Sequence, residues 1–442
     1  MIPPSVIEYI KKYSLSHWQI ESNKLNGIEN VIIVPAISEY KNIINLLTSI
    51  VKMDSKYFDS TLVVFVINNI ASSSIEIKIE NKNTLSLLRS IVNKDLGTGI
   101  TIVEKILSSG IKLGFIDAST IGNELPEKNG GVGLARKLGM DLALSILDFK
   151  SSNKKILVCL DADCTLEKNY LTEVVQNFNK RNLSAAVVNY KHKLSEDKNT
   201  NKAIICYEIF LRYYVLGLIY AKSDYAIHTI GSTMMCDYES YIKVEGMNKK
   251  KAAEDFYFLQ KLAKNVQIEK ISETTVYPSG RKSWRVPFGT GQRISRYLSN
   301  TQNEYLLYDP KTFHILKKWL EVFYSIVNVK ADVYLNYAKI IDKYLFDFLI
   351  EQNFELSWNN IIVNSSSDKQ IIIQKKRWFD GFRTLKLVHL LRDNSFPMKN
   401  MFNAIDEMLN LIGTSSYPAR NDTSIPAIEV QEEYLKILRE LT

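Results

Sequence analysis

The sequence predicts an α/β fold built on a mostly parallel sheet, followed by a helical C-terminal domain. Three observations carry this. Short apolar runs rich in β-branched residues recur at 31–34, 61–67, 155–160 and 185–188. They are apolar throughout instead of alternating, as in strands buried on both faces. Segments with helical spacing lie between them, and that alternation is the pattern of a parallel sheet. From about 300 onward the strand-like runs give way to helical ones. The expected division is a helical lead-in at 1–28, an α/β domain at 29–297 and a helical domain at 298–442.

The first strand ends at Pro35 and leads into a loop with Ala36, Ser38 and Glu39. Ser38 is placed to cap the helix that follows, and Glu39 suits its positive N-terminus. The second strand ends in Asn68 and Asn69. A polar excursion over 71–110 shows one helix, at 84–92. A third short strand, 113–117, ends in Asp117. Gly130, Gly131 and Gly133 then run into a helix carrying Arg136. Glycines opening a helix can bring backbone N–H groups close to phosphate, although this spacing matches neither the dinucleotide fingerprint nor the P-loop.

The central strand, 155–160, ends in Asp161 and Asp163. Side chains alternate along a strand, so two acids one residue apart point the same way. Ligand sites in open α/β sheets lie beyond the carboxyl ends of strands. Two carboxylates there repel each other, and a hard divalent cation, Mg²⁺ or Mn²⁺, relieves the conflict while leaving places for substrate phosphates. The competing reading is an ordinary Asx turn.

Beyond an apolar helix at 203–221, the segment 225–235 reads as a strand broken at Gly231 and Ser232. The stretch 249–263 reads as a helix with Glu254 and Asp255 in its first turns. Acids there are explained either by the helix dipole or by a general base. The segment 276–293 mixes Arg281 and Arg285 with Trp284, Pro287 and glycines. It reads either as a lid over a diphosphate or as a connection packed by its aromatics. In the C-terminal domain, Lys375, Lys376 and Arg377 lie beside Trp378 and Phe379, a solvated basic face or a contact for an acidic surface.

Composition narrows the function. The chain has 442 residues, 46% hydrophobic and 24% charged, with a formal net charge of +8. That is globular and mildly basic. It suits an anionic small molecule or peripheral contact with an acidic membrane surface, and no nucleic-acid motif is present. The four cysteines form no C-x-x-C pair, which argues against zinc and for reduced thiols in the cytoplasm. The N-terminus shows no signal-peptide pattern. Glu208 and Arg212 interrupt the apolar stretch at i,i+4, so a buried helix is expected there and not a membrane span.

Taken in order, these pieces resemble the inverting family 2 glycosyltransferases of the GT-A fold, a Rossmann-like sheet that binds nucleotide-diphospho-sugars. The resemblance is carried by Pro35 to Glu39, by Gly130 to Arg136, by Asp161 and Asp163, by Gly231 with Ser232, and by Glu254 with Asp255. It spans roughly residues 30–295. It implies that Pro35, Ala36 and Glu39 line the nucleotide pocket, that Asn68 contacts the base, and that Asp117 and Arg136 border the nucleotide. Asp161 and Asp163 correspond to the D-x-D that holds Mg²⁺ or Mn²⁺, with Asp163 the more direct ligand. Asp255 corresponds to the general base, and Glu254 supports it or positions the acceptor. Arg281 and Arg285 join the nucleotide-sugar site from composition alone.

The donor implied is a UDP-sugar, with a GDP-sugar as the alternative, and the acceptor is a glycan, a lipid-linked or a small-molecule hydroxyl. The Gln-x-x-Arg-Trp signature of processive members is missing: Gln292 is followed by Arg296 and Tyr297 at another spacing. A non-processive hexosyltransferase follows. Sugar nucleotidyltransferases are the competing enzyme class, but they carry a Gly-rich basic loop where this chain has Pro35 to Glu39. A non-catalytic nucleotide-sugar-binding scaffold is opposed by the intact Asp161, Asp163 and Asp255.

Overall fold

A computed structural model of the chain describes residues 2–15, 17–22, 25–95, 100–281, 289–414, 418 and 424–442. They fall into two compact units. Their described residues lie within 2–194 and 229–280 in the first, and within 195–228, at 281 and within 289–442 in the second.

The first unit opens with α1 (Pro4–Tyr13) and the short β1 (Glu21–Ser22). Then come β2 (Asn30–Ala36), α2 (Tyr40–Ile50), β3 (Thr61–Asn68), α3 (Ile75–Val92), α4 (Thr101–Ser109), β4 (Lys112–Ala118), α5 (Val132–Ala143) and β5 (Ile156–Cys159). Next are β6 (Thr165–Leu166), α6 (Tyr170–Lys180) and β7 (Ala185–Tyr190), after which α7 (Lys198–Tyr220) belongs to the second unit. The chain returns with β8 (Met234–Asp237), α8 (Tyr238–Lys243), α9 (Glu254–Ala263) and β9 (Ile268–Tyr277). The sheet order is β1-β4-β3-β2-β5-β8-β7-β9-β6. Strands β4, β3, β2 and β5 are neighbours in parallel, and β7 pairs with β9 in parallel. Strand β8 runs against both β5 and β7, so its first residues sit at the carboxyl end of β5. The mostly parallel α/β sheet expected from the sequence is present. Every residue of β2 and β3 is buried, which is why their sequences do not alternate.

Several elements differ from expectation, each for a local reason. The excursion over 71–110 holds two helices, α3 and α4, where one was expected; α3 buries Asn81 and Thr84 on its inner face, which blurs its periodicity. Strand β9 was not foreseen, because exposed polar residues such as Lys270, Ser272 and Glu273 dilute its apolar signal. The strand read at 225–235 shrinks to β8. The helix read from 249 begins only at Glu254, because Ala253 sits at φ 56° and breaks the run. Ser38 does not cap α2. It lies at φ 53° and its hydroxyl donates to Glu80, while Glu39 occupies the cap position.

The second unit adds to α7 the helices α10 (Thr290–Ser299), α11 (Pro310–Ser325), α12 (Ala331–Ile341), α13 (Lys343–Glu351), α14 (Phe354–Val363), α15 (Asp368–Trp378), α16 (Gly381–Asn394), α17 (Met401–Leu411) and α18 (Ile428–Leu441). A two-stranded ribbon pairs β10 (Leu306–Leu307) with β11 (Lys399–Asn400). Its core stacks Trp319 on Phe323 at 4.9 Å and sets Tyr334 edge-on to Trp358 at 4.9 Å. Lys375 is not part of a solvated basic face. It is fully buried, donates to the Phe323 carbonyl at 2.8 Å and to the Tyr334 hydroxyl at 2.7 Å, and lies over the Trp358 ring. Burial pulls its amine down to about 8. The lysine holds the carbonyl end of α11, a structural role.

Helix α7 is long and apolar enough to cross a membrane by length and composition, and 72% of its apolar window is buried in the protein. Its Glu208 and Arg212 are paired at 2.9 Å with almost no exposure, and Arg439 of α18 adds a bond to Glu208 at 2.7 Å. Breaking a buried pair by removing one charge leaves the other uncompensated, typically about 3–5 kcal/mol. Glu208→Gln strands two arginines at once. It is expected to lower the urea unfolding midpoint by the equivalent of about 3 kcal/mol or more; an unchanged midpoint would mean that the network contributes nothing net.

Candidate functional site

Four parallel strands bring their carboxyl ends to one edge, and each ends in polar residues. Strand β2 leads to Glu39, β3 ends at Asn68, β4 carries Asp117, and β5 leads to Asp161 and Asp163. Because β8 is antiparallel, Gly231 and Ser232, just before its start, come to the same edge. This is where an open α/β sheet binds ligands.

Beyond β5 the backbone has left the strand, so Asp161 and Asp163 are loop residues, and they still converge. Ligand atoms of Asp161, Asp163 and Cys164 all lie within 4.8 Å of one another. Burial raises the Cys164 thiol well above its ordinary value, and the Asp161 and Asp163 charges push it further. Cys164 is buried, whereas the Asp161 and Asp163 carboxylates are partly exposed and are the oxygen donors at the mouth of the group. That set fits a hard, oxygen-seeking cation such as Mg²⁺ or Mn²⁺ better than zinc.

Behind these acids stands Arg136 of α5. It is 2% exposed. Its Nη2 bonds the Asp161 carboxylate, and its Nη1 lies 3.3 Å from Glu254 Oε1. Gly231 makes room for it, since a Cβ at 231 would lie 2.2 Å from Nη1 and 2.7 Å from Cζ. Arg136 therefore faces carboxylates from inside the protein. Burial opposes its charge, but Asp161 and Glu254 outweigh that and hold it protonated.

Glu254 and Asp255 open α9. Glu254 is buried and Asp255 half-buried. Burial is the main force raising both carboxyls; Arg136 works against it and each acid's negative neighbours reinforce it. Glu254 is pushed up to about 7. Asp255 accepts from the Phe256 N–H at 2.7 Å and also from the Gly231 N–H. Two raised, interacting carboxyls titrate as a pair.

The glycine-rich loop serves packing here. A Cβ at Gly133 would lie 2.3 Å from the Lys250 carbonyl and 3.0 Å from Glu254 Cβ, so this glycine lets α5 approach the start of α9. At the far side of the edge, Asp117 is held below the usual carboxylate range. Burial pushes it up, but hydrogen bonds from Thr120 and Ser119 and the nearby Arg89 prevail. Arg89 of α3 reaches it at 3.0 Å and remains 42% exposed.

Asn68 is buried, and its amide donates to the Ala36 and Val66 carbonyls at 3.0 and 3.1 Å. Its amide nitrogen is thereby engaged in bracing β2 against β3. Pro35 and Ala36 are buried within β2, and Glu39 accepts from Asn42. Ser232 is fully buried with its hydroxyl toward Cys164. Arg281 falls with the second unit, and Arg285 lies outside the described residues. Sequence reasoning missed Arg89 and the bracing pair Glu80 and Asn81, which bond the Ser38 to Tyr40 segment. These residues of α3 had no motif to mark them.

No family model matches the chain, and no curated protein matches it. Solved structures similar to it include TarS from S. aureus and a mannosyltransferase. Residues 1–349 of TarS from S. aureus, in complex with UDP-GlcNAc, are 14% identical over 79% of this chain and 90% of that one, with a TM-score of 0.38. The same fragment with UDP gives 14%, 83%, 92% and 0.38. The mannosyltransferase PcManGT from Pyrobaculum calidifontis, in complex with GDP-Man and Mn²⁺, is 14% identical over 88% of this chain and 93% of that one, with a TM-score of 0.37. At such overlaps the likeness adds nothing to the chemistry, which rests on the residues above.

Proposed function

We propose that the chain is a glycosyltransferase that moves a sugar from a nucleoside-diphosphate sugar to an acceptor hydroxyl with inversion. The observation that carries this reading is one edge of the sheet holding two kinds of carboxylate. Asp161 and Asp163 converge as a cation site, and Glu254 and Asp255, raised by burial, stand across Arg136 from them.

The chemistry divides accordingly. Asp255, the more exposed of the acid pair and oriented by the Gly231 and Phe256 N–H groups, takes the proton from the acceptor hydroxyl. The acceptor oxygen bonds to the anomeric carbon as the bond from that carbon to the diphosphate oxygen breaks. The electron pair leaves with the nucleoside diphosphate. Asp161 and Asp163 would hold Mg²⁺ or Mn²⁺, which when bound neutralises charge on that leaving group. Glu254 sits between Arg136 and Asp255 and supports the base.

The test is a panel of UDP- and GDP-sugars scored for slow hydrolysis without acceptor, with Mn²⁺ supplied. The nucleotide sugars held by the solved structures named above, UDP-GlcNAc and GDP-mannose, head the panel. One donor is expected to be hydrolysed by the wild type, and Asp163→Ala is expected to lose both that turnover and Mn²⁺-dependent thermal stabilisation. A wild type inert toward every donor, and unshifted by Mn²⁺ with any nucleoside diphosphate, would overturn the reading.

A further inference from the structure

Arg136 is built into the site from three sides. Its guanidinium fork reaches a carboxylate of the cation site through one nitrogen, Nη2 to Asp161, and a carboxylate of the acid pair through another, Nη1 to Glu254. The hollow it occupies exists because residue 231 has no Cβ. The same Gly231 gives its backbone N–H to Asp255. Arg136, carried by α5, is thereby met by three elements: the loop after β5, the turn before β8 and the start of α9.

The hydrogen bonding of this cation is incomplete. Arg136 is 2% exposed, and among the described residues its Nε and Nη1 find no hydrogen-bond partner. The 3.3 Å approach of Nη1 to Glu254 is an ion pair without hydrogen-bond geometry. Buried donors normally find partners, and an arginine with two nitrogens unpartnered retains bonding capacity. Asp161, in contrast, is 36% exposed at its side chain and faces the cation site. A carboxylate cannot give its full charge both to a metal and to a guanidinium. A cation held by Asp161 and Asp163 would draw on the Asp161 charge, weakening its hold on Arg136 and leaving more of the guanidinium to Glu254.

We propose that Arg136 is a positioning residue that couples the two halves of the site, so that cation binding at Asp161 and Asp163 is felt at Glu254 and Asp255 through a shared guanidinium. The inference rests on the glycosyltransferase reading and deepens it. It differs from the role the sequence resemblance implies for Arg136, a direct border to the nucleotide. A border residue would alter the KM for the nucleotide sugar when changed. A coupling residue alters kcat and the dependence of one half on the other. Lysine keeps the charge and loses the fork, which separates coupling from simple charge balance.

The experiment is a double-mutant cycle on the full chain with Mn²⁺ alone, followed by the electron paramagnetic resonance signal of free Mn²⁺. Glu254→Gln is expected to shift the Mn²⁺ dissociation constant at least threefold, although residue 254 is no ligand of the cation site. In an Arg136→Met background that shift is expected to fall to less than half its size. Arg136→Lys, the variant that preserves buried charge if Arg136→Met fails to fold, is expected to reduce the shift as well. With the donor that the panel identifies, Arg136→Lys is expected to lower kcat at least tenfold with KM within threefold. Equal Glu254→Gln shifts with and without Arg136 would overturn the coupling, as would a raised KM with unchanged kcat. A wild type that binds no Mn²⁺ would overturn the cation site, and the coupling with it. Mn²⁺ binding that is lost in Asp163→Ala but shows no coupling overturns this inference alone.

Discussion

Asp255→Asn is expected to abolish transfer in a protein that still folds and still binds Mn²⁺. Asparagine keeps the shape of the side chain and can still accept from the Phe256 and Gly231 N–H groups that orient it. It cannot take a proton from an acceptor. A positioned general base contributes roughly 10²- to 10⁴-fold, so kcat is expected to fall by about that factor with little change in KM for the nucleotide sugar. The wild-type pH profile belongs to the same prediction. Burial keeps the acid pair protonated above the ordinary carboxylate range, with Glu254 near 7. Transfer is therefore expected to rise with pH above the ordinary carboxylate range as the pair ionises. Stability has the opposite sign. The folded pair holds a proton between the ordinary value of 4.5 and about 7, where the unfolded chain has released it. The folded state therefore loses stability as pH rises through that window. A flat rate between pH 5.5 and 8, or an Asp255→Asn variant with wild-type turnover, would remove Asp255 from the chemistry.

Gly231→Ala is the second change of large expected effect, and it acts through one methyl group. A Cβ there would lie 2.2 Å from Arg136 Nη1, 2.5 Å from Nη2 and 2.7 Å from Cζ. The guanidinium cannot retreat freely, since it is buried and held by Asp161 and Glu254. Overpacking of this kind costs about 1–3 kcal/mol. The methyl also disturbs the turn that presents the Gly231 N–H to Asp255. Turnover is expected to fall at least tenfold in a protein that still folds, with a lowered melting temperature. Gly130→Ala, whose Cβ would meet Ile70 Cγ2 at 2.2 Å and the Pro126 carbonyl at 2.9 Å, serves as a comparison. It is expected to destabilise without the loss of turnover. Equal losses of turnover in the two variants would mean that Gly231 acts through general packing.

How much of this was legible in the sequence follows from which interactions are local. Strands β2, β3, β5 and β7 were readable because buried strands must be apolar throughout, a requirement each residue satisfies alone. The acids at 161, 163, 254 and 255 were readable as motifs because their chemistry fixes their type. Strand β9 was not, since part of its surface is exposed and polar. Lys375 was not, because the Tyr334 hydroxyl and the Phe323 carbonyl that accept from its buried amine come from 41 and 52 residues away in the chain.

The site divides in the same way. By itself the sequence determined the residue types: two acids after the central strand, an acid pair opening a helix, and a glycine where no side chain fits. Tertiary structure decided which of them meet. The antiparallel course of β8 carries Gly231 back to the end of β5. Close approach of α5 and α9 over Gly133 puts Arg136 between Asp161 and Glu254. The physical reason is that the carboxylates holding the charge of Arg136 away from water, Asp161 and Glu254, come from separate segments that only the folded chain assembles.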